Sequence, residues 1–224
     1  YMKHEGKEKR FFTFFMATLG VTLGIAFSGN IFTMYLFYEF LTLVTFPLVI
    51  HTGTEEAMKV GRKYLKYSFF GAALGLTGII LLYLSGNDFR FVELGVINAA
   101  NVKSQGLVLL TYVLFFIGFG VKAAVVPFHS WLPSAMVAPT PVSSLLHAVA
   151  VVKVGIFALI RVTYYIFGAH IVKGANAIYI AGPLVVLTIL LGSVLAYHQE
   201  NLKKRLAYST ISQLGYILLG LILM

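Results

Sequence analysis

Residues 106–138 read GLVLLTYVLFFIGFGVKAAVVPFHSWLPSAMVA, a stretch that is too long for one straight membrane helix. About 20 apolar residues are enough to cross the hydrocarbon core of a bilayer. Lys122 lies inside this stretch, and Pro127 and Pro133 follow it. Proline removes a backbone donor and clashes with the preceding turn of a helix. We therefore predict a discontinuous helix, which membrane proteins tolerate only where protein or water satisfies the freed backbone groups.

Two glycines and the first proline mark the expected interruption. Gly118 and Gly120 lie before it, and Pro127 lies at its end. The pattern predicts one half-helix at about 107–122, a break near 123–127 and a short second half. In transporters, discontinuous helices often hold the ion or substrate site.

Further apolar stretches dominate the rest of the chain. Hydrophobic residues make up 59% of the 224 residues and charged residues 11%, and the mean hydropathy is +0.88. Soluble domains carry about 25% charged residues, so the composition argues against a soluble enzyme. It predicts an all-α polytopic membrane protein with about seven transmembrane helices, one of them discontinuous. The continuous stretches lie at about 11–28, 31–51, 67–85, 142–167, 176–197 and 206–224.

The basic residues lie mainly between these apolar stretches. The chain has 17 Lys and Arg against 8 Asp and Glu, and this clustering indicates membrane topology rather than nucleic-acid binding. The positive-inside rule predicts that three clusters face the cytoplasm, in a multi-pass protein of the cell (inner or plasma) membrane. The clusters are Lys3, Lys7, Lys9 and Arg10; Lys59, Arg62, Lys63 and Lys66; and Lys203, Lys204 and Arg205. The opposite side would hold Arg90, Lys103 and Lys173, with Arg161 at a helix end.

The ends of the sequence and its lack of cysteine set two further expectations. The sequence starts at Tyr1 and stops at Met224 inside an apolar run, so we expect an internal piece of a longer membrane protein. Without cysteine, thiolate zinc sites, Cys-ligated iron–sulfur clusters and disulfides are not expected. The histidines also lack the spacing of a metal site, and no metal or cofactor is predicted.

Three charged residues lie deep within the apolar stretches, away from their ends: Glu39, Lys122 and Lys153. Glu39 is roughly 13 Å along its stretch by helical rise, near the middle of a bilayer. Charges at such depth are costly, so they pair, line water or face the bundle interior. Burial disfavours a charged lysine and a nearby carboxylate favours it, so a Glu39–Lys122 pair could take up and release a proton. The alternatives are a static ion pair and, for Lys153, a side chain that reaches the interface.

Two histidines are weaker candidates for the same chemistry. His147 lies in the stretch that contains Lys153, and His129 lies beside the predicted break. In a regular helix, His147 and Lys153 would be about 120° apart in azimuth and about 9 Å apart in height, too far to share one contact. His147 could equally be a hydrogen-bonded core residue, and His129 a loop residue.

Residues Gly120 to Arg161 resemble the antiporter-like membrane subunits, through the combination HSWLP…PTPVS…LLHA. This superfamily includes proton-pumping subunits of respiratory complex I, Mrp-type Na⁺/H⁺ antiporter subunits and subunits of membrane-bound hydrogenases. Two more segments resemble it, FYEFLTL around Glu39 and NLKKRLAYSTISQLGY at 201–216. The segment HAVAVVKVGIF, at 147–157, resembles the Mrp-D and hydrogenase-type subunits most closely.

The resemblance implies roles for individual residues. Glu39 matches the membrane glutamate of the superfamily, and Lys122 matches the lysine of the broken helix that pairs with it. His147 and Lys153 match positions on the next helix that relay protons toward the middle of the subunit. His129 is a secondary candidate.

The resemblance also implies an architecture of about fourteen helices with two inverted five-helix repeats. Residues 1–167 would form the first repeat, and residues 168–224 would form the first two helices of the second. The implied function is translocation of protons or cations by one member of a multi-subunit membrane complex, driven by redox chemistry or by an ion gradient.

Two alternatives stay open: a Na⁺/H⁺ antiporter subunit of an Mrp-type assembly, and a structural subunit that holds its neighbours in the bilayer. The expected partners are other membrane subunits, the lipid bilayer and H⁺, with Na⁺ as an open alternative. A redox or catalytic centre is not visible in the sequence, so an oxidoreductase activity, NADH dehydrogenase-like or hydrogenase, would belong to the whole complex.

Overall fold

A computed structural model describes Met2 and residues 6–97, 104–174 and 176–223. These residues form an all-helical bundle, and the β-structure among them is one isolated bridge between Asn30 and Arg90. The predicted all-α fold is thereby confirmed. Lys3 and Lys103, two of the charges used in the topology prediction, lie outside the described residues.

Three long helices begin the described chain: α1 (Glu8–Ala26), α2 (Ile31–Val49) and α3 (Glu55–Leu84). Polar side chains cap two of them, because the first backbone donors of a helix lack partners. The Asn30 side chain accepts from the Thr33 amide at 2.7 Å before α2. Before α3, Thr54 accepts from the Ala57 amide at 3.2 Å.

Helix α3 begins 12 residues before the apolar stretch predicted at 67–85. Hydropathy finds only the apolar part of a helix. The first turns of α3 are polar and basic, and the Thr54 cap together with Glu55 and Glu56 starts the helix there.

Helix α4 (Gln105–Lys122) ends at the predicted break. The chain leaves the helix through Ala124, whose φ is +58°. The second half is a series of short pieces: a 3₁₀ turn (Phe128–Ser130), α5 (Trp131–Ser134) and another 3₁₀ turn (Ala135–Val137).

The stretch predicted as one helix at 142–167 is interrupted by two π-helical turns. It consists of α6 (Thr140–Ser144), a π turn (Leu145–Val149), α7 (Val151–Val162) and a second π turn (Thr163–Phe167). The first turn contains His147, so the regular-helix estimate of its position relative to Lys153 does not apply. A π turn winds more slowly than an α-helix and is frequent at functional sites.

The chain continues with α8 (Ala169–Gly174), α9 (Ile178–Tyr197) and α10 (Leu202–Ile222). Among the described residues, six helices are long and apolar enough to cross a membrane, so the protein is a multi-pass membrane protein. They are Glu8–Ala26, Ile31–Val49, Glu55–Leu84, Gln105–Lys122, Thr140–Phe167 and Ile178–Tyr197. Helix α10 is also long enough, at 21 residues, but its first half is polar and basic.

Glycines bring α3 and α4 into close contact. A Cβ atom at Gly118 would lie 2.9 Å from the Gly71 carbonyl oxygen and 2.8 Å from the Gly75 nitrogen. Small residues allow such close approach of membrane helices. Gly118 lies within α4, four residues before its end, and serves this packing.

The described residues of the three basic clusters lie at one end of the bundle, which we call the basic end. The described basic residues of these clusters flank the starts of α1, α3 and α10, and the turns beside the α4 break lie at the same end. Hydrogen bonds join Lys63 to the Ser130 carbonyl at 3.0 Å, Lys203 to the Ala138 carbonyl at 3.1 Å and Arg10 to the Pro47 carbonyl at 3.3 Å.

Candidate ion-translocation site

Side chains from other elements hold the break after α4. The Val126 amide donates to the Thr188 hydroxyl of α9 at 3.0 Å. The Trp131 indole donates to the Val121 carbonyl at 2.8 Å. Because backbone groups inside a membrane protein need internal partners, these bonds allow the helix to stop in the middle of the bundle.

Lys122 is the last residue of α4, and its side chain is 1% exposed. The ammonium donates to the backbone carbonyl of Tyr38 on α2 and lies 3.4 Å from the centroid of the Tyr38 ring. A cation also interacts favourably with the carboxyl end of a helix. Helix α2 therefore provides a carbonyl and an aromatic face for a lysine that is removed from water.

Glu39, the next residue of α2, is the acidic partner of Lys122. The Glu39 Oε1 atom lies 3.7 Å from Lys122 Nζ, and its side chain is 22% exposed. This separation is longer than a hydrogen bond between nitrogen and oxygen. Oε1 is buried and has no hydrogen-bond partner among the described residues. The structure thus brings the two predicted residues together as a loose ion pair rather than a closed one.

Buried hydroxyls follow Glu39 toward the basic end, and they were not predicted from the sequence. Thr42 and Thr45 follow Glu39 at intervals of three residues on α2, and both are fully buried. The Tyr64 hydroxyl of α3 lies 2.8 Å from Thr45 Oγ1. In the sequence, these hydroxyls are indicated by the pair Thr42 and Thr45, which lie one and two turns after Glu39 in an otherwise apolar helix.

His147 and Lys153 do not join the network of Lys122 in the described part of the chain. Nδ1 of His147, on the π turn, lies 3.5 Å from the Thr210 hydroxyl of α10, and the ring is half-buried. The Lys153 side chain lies on α7 and is exposed. The sequence places it deep within an apolar stretch, but the packing of α7 turns it to the outer surface of these helices.

His129 lies in the 3₁₀ turn after the break, at the basic end. Its ring centroid is 6.4 Å from that of Tyr208 on α10, and the ring is half-buried. Nδ1 is buried and makes no hydrogen bond among the described residues. The neighbouring Ser130 hydroxyl lies 2.9 Å from the Tyr67 hydroxyl.

Three features of this structure are together typical of antiporter-like membrane proteins. They are the helical membrane architecture, the helix broken at a buried lysine and the carboxylate on the adjacent helix. The family described as NADH:quinone oxidoreductase/Mrp antiporter, TM, matches residues 28–224. The chain belongs to this family.

Two relatives are named as members of antiporter complexes. A Staphylococcus aureus protein named antiporter subunit mnhA2 is 37% identical over 212 residues, which cover 93% of this chain and 26% of that protein. A Rhizobium meliloti protein named as a K⁺/H⁺ antiporter subunit is 36% identical over 221 residues, covering 97% of this chain and 21% of that protein. The chain spans about a quarter of the length of these relatives.

Two solved complexes contain chains with the same fold. The membrane-bound sulfane sulfur reductase, an archaeal respiratory membrane complex, matches with a TM-score of 0.81 and 26% identity over 93% of this chain and 42% of that chain. The Mrp complex from Dietzia sp. DQ12-45-1b matches with a TM-score of 0.80 and 29% identity over 91% of this chain and 22% of that chain.

Proposed function

We propose that this chain forms part of a protein that moves protons across the membrane within a multi-subunit complex. The observation that carries the proposal is the loose pair of Lys122 and Glu39 at a helix break. A buried ammonium 3.7 Å from its carboxylate has not formed the short contact that would lock both charges in place.

The chemistry of the pair follows from its surroundings. When the carboxylate approaches, it stabilises the protonated ammonium, and when it withdraws, burial favours loss of a proton from Lys122. Lys122 keeps the Tyr38 carbonyl as a neighbour in this arrangement. A change in the Glu39–Lys122 distance is therefore coupled to uptake or release of one proton, which is the elementary step of a pump or exchanger.

His147 and Lys153 are proposed as later stations on the proton route. His147 lies on a π turn, where the backbone can change its winding, and it contacts Thr210. Lys153 faces outward from the described helices, so a proton that reached it would leave this part of the protein along the membrane plane. Residues 1–167 are proposed to form the first inverted repeat and residues 168–224 the beginning of the second.

The coupled ion and the orientation belong to the same proposal. We propose exchange of protons for a monovalent cation, supported by the antiporter names of two relatives. The basic end is proposed to face the cytoplasm of a cell membrane, because basic residues accumulate on that side of multi-pass proteins. Other membrane subunits are the proposed partners.

Replacement of Lys122 by Met in the full complex tests this function. Met keeps much of the side-chain volume but cannot carry a proton. We expect proton transport in membrane vesicles to fall to the level of vesicles without the complex. Glu39→Gln is expected to have the same effect because it removes the group that moves the lysine between its two protonation states.

The exposed charges of the same chain are the matched controls. Lys173→Met and Glu93→Gln change the same residue types at exposed positions and should leave transport unchanged. Assembly is followed by purification of the intact complex. Normal transport in a correctly assembled Glu39→Gln complex would contradict the proposal and favour a static pair that holds the bundle together. Measurement with Na⁺, K⁺ or neither present identifies the exchanged cation.

A further inference from the structure

The buried polar atoms next to Glu39 point to a function for residues outside the ion pair. Among the described residues, four buried side-chain polar atoms have no hydrogen-bond partner: Glu39 Oε1, Thr42 Oγ1, His51 Nδ1 and His129 Nδ1. The first two are three residues apart on α2, so their side chains are neighbours on one face of the helix. Interiors rarely leave such atoms unpaired, and a bridging water is the usual solution.

The hydroxyl of Thr42 differs from those of other buried threonines in the bundle, because it makes no hydrogen bond among the described residues. A threonine in a membrane helix normally donates its hydroxyl to the carbonyl four residues earlier. Thr18, Thr111 and Thr188 do this, with distances of 2.6–2.8 Å to Phe14, Leu107 and Leu184. Thr42 does not, although it is fully buried. Its hydroxyl remains free to donate to one neighbour and accept from another.

Further hydroxyls continue from Thr42 toward the basic end. Thr45 Oγ1 donates to the Leu41 carbonyl at 2.6 Å, so it accepts from the Tyr64 hydroxyl at 2.8 Å. The hydroxyls of Thr42 and Ser68 lie near the Tyr64 hydroxyl, with Thr42 Oγ1 outside hydrogen-bonding geometry. All four side chains are at most 3% exposed. They form one polar group between α2 and α3.

The position of this group connects Glu39 with one end of the bundle. Thr45 lies four residues before the end of α2, which is roughly 6 Å of helical rise from the basic end. Tyr64 packs against Trp131, with ring centroids 5.4 Å apart, and Trp131 holds the break beside Lys122. The hydroxyls thus extend from the carboxylate toward the basic end, along the side of the break.

We propose that Thr42 and Tyr64 form the path by which Glu39 exchanges protons with water at the basic end, and that Thr45, whose own proton is donated to the Leu41 carbonyl, positions the Tyr64 hydroxyl. This inference rests on the proposed function. A hydroxyl can accept one proton while it releases another, so a proton from water is passed along the hydroxyls and intervening water to the Glu39 carboxylate. Each hydroxyl ends with the number of protons with which it began.

Replacement of Thr42 by Val in the full complex is the decisive variant. Valine has nearly the shape of threonine, and the lost hydroxyl makes no hydrogen bond within the described chain. Thermal stability should therefore be unchanged or higher. Proton transport in vesicles should slow at least about tenfold, and Tyr64→Phe should slow it similarly, because a positioned proton-transfer group is removed. Thr42→Ser restores the hydroxyl and should restore most of the rate.

The second buried Tyr–Thr pair of the bundle supplies the matched control. The Tyr112 hydroxyl of α4 lies 3.3 Å from Thr163 Oγ1, and both residues are buried away from Glu39. Tyr112→Phe and Thr163→Val remove a hydroxyl from the same kind of pair without touching the proposed path. They should leave the transport rate within about twofold of the wild type, because substitutions away from a functional feature have small effects.

The result with Glu39→Gln separates failure of this inference from failure of the proposed function. If Glu39→Gln abolishes transport while Thr42→Val and Tyr64→Phe transport normally, the hydroxyl path is refuted and the ion pair stands. If Glu39→Gln transports normally, both proposals fall. If Thr42→Ser is as slow as Thr42→Val, the effect is one of packing and the path is also refuted.

Discussion

Arg161 joins three segments at the end of the bundle opposite the basic end. Its guanidinium donates to the Ser28 carbonyl at 2.5 Å and to the Ala26 carbonyl at 3.3 Å, just where α1 ends. It also lies 4.6 Å from the Phe91 ring centroid and 5.1 Å from that of Phe157. The last carbonyls of a helix lack partners within it, so a cation at this point both satisfies them and complements the helix dipole.

Arg161→Lys should therefore destabilise the bundle even though it keeps the charge. Lysine cannot donate in two directions from a planar group or stack on two rings. We expect the free energy of unfolding to fall by about 1.5–3 kcal/mol, the range for hydrogen bonds to charged groups. Thermal unfolding of the purified complex in detergent measures it. Arg62→Lys, at an exposed position, is the control, and an equal shift in both variants would contradict the assigned role.

For individual residues, the sequence predicted the charges of the site but not their surroundings. Glu39 and Lys122 could be paired because each is an isolated charge in an apolar stretch. The Tyr38 carbonyl and the hydroxyls of Thr42 and Tyr64 could not be added, because their role depends on how α2 and α3 face each other. Lys153 has the same sequence signature as Lys122, yet the orientation of α7 leaves it exposed.

Helix α4 meets two structural requirements at once. It packs closely against α3, and it ends at Lys122. Gly118 serves the approach, since a Cβ atom there would overlap the backbone of α3. The stop depends on residues far away in sequence, including Thr188. Proline and glycine in the sequence predicted where α4 ends. The π turn at Leu145–Val149 contains neither residue, so the sequence did not predict it.

Gly118→Ala tests the close approach of α3 and α4. Overpacking of this kind costs about 1–3 kcal/mol of stability, and displacement of α4 should also lower proton transport because it moves Lys122. Gly20→Ala is the control, since Gly20 lies in α1 with no atom within 4 Å of an added Cβ. That change should raise stability by about 0.5–1 kcal/mol. Equal thermal stability of the two variants would contradict the packing argument.

Across the bundle, most of the described charges fall into two groups with different locations. The described members of the three basic clusters lie at one end of the bundle, while Asp88 and Arg90 form an ion pair of 2.7 Å at the other. Glu39 and Lys122 lie between the two ends. The described basic excess therefore lies mostly at the ends of the bundle, whereas the charges of Glu39 and Lys122 offset each other in its interior.

The proposed orientation can be tested with single cysteines, because the chain contains none. Lys204→Cys at the basic end should react with a membrane-impermeant maleimide only from the cytoplasmic side. Asn87→Cys at the opposite end should react only from outside. Labelling of intact cells and of inverted vesicles distinguishes the two sides. The reverse pattern would invert the proposed direction of proton entry.

The hydrogen bond between Val126 and Thr188 links α9 to the break beside Lys122. Lys122 is four residues from the amide that donates this bond, and the turn between them is short. We therefore expect a displacement of α9 to be transmitted through this bond to the backbone beside Lys122. Such a displacement would change the Glu39–Lys122 distance without a charged residue on α9.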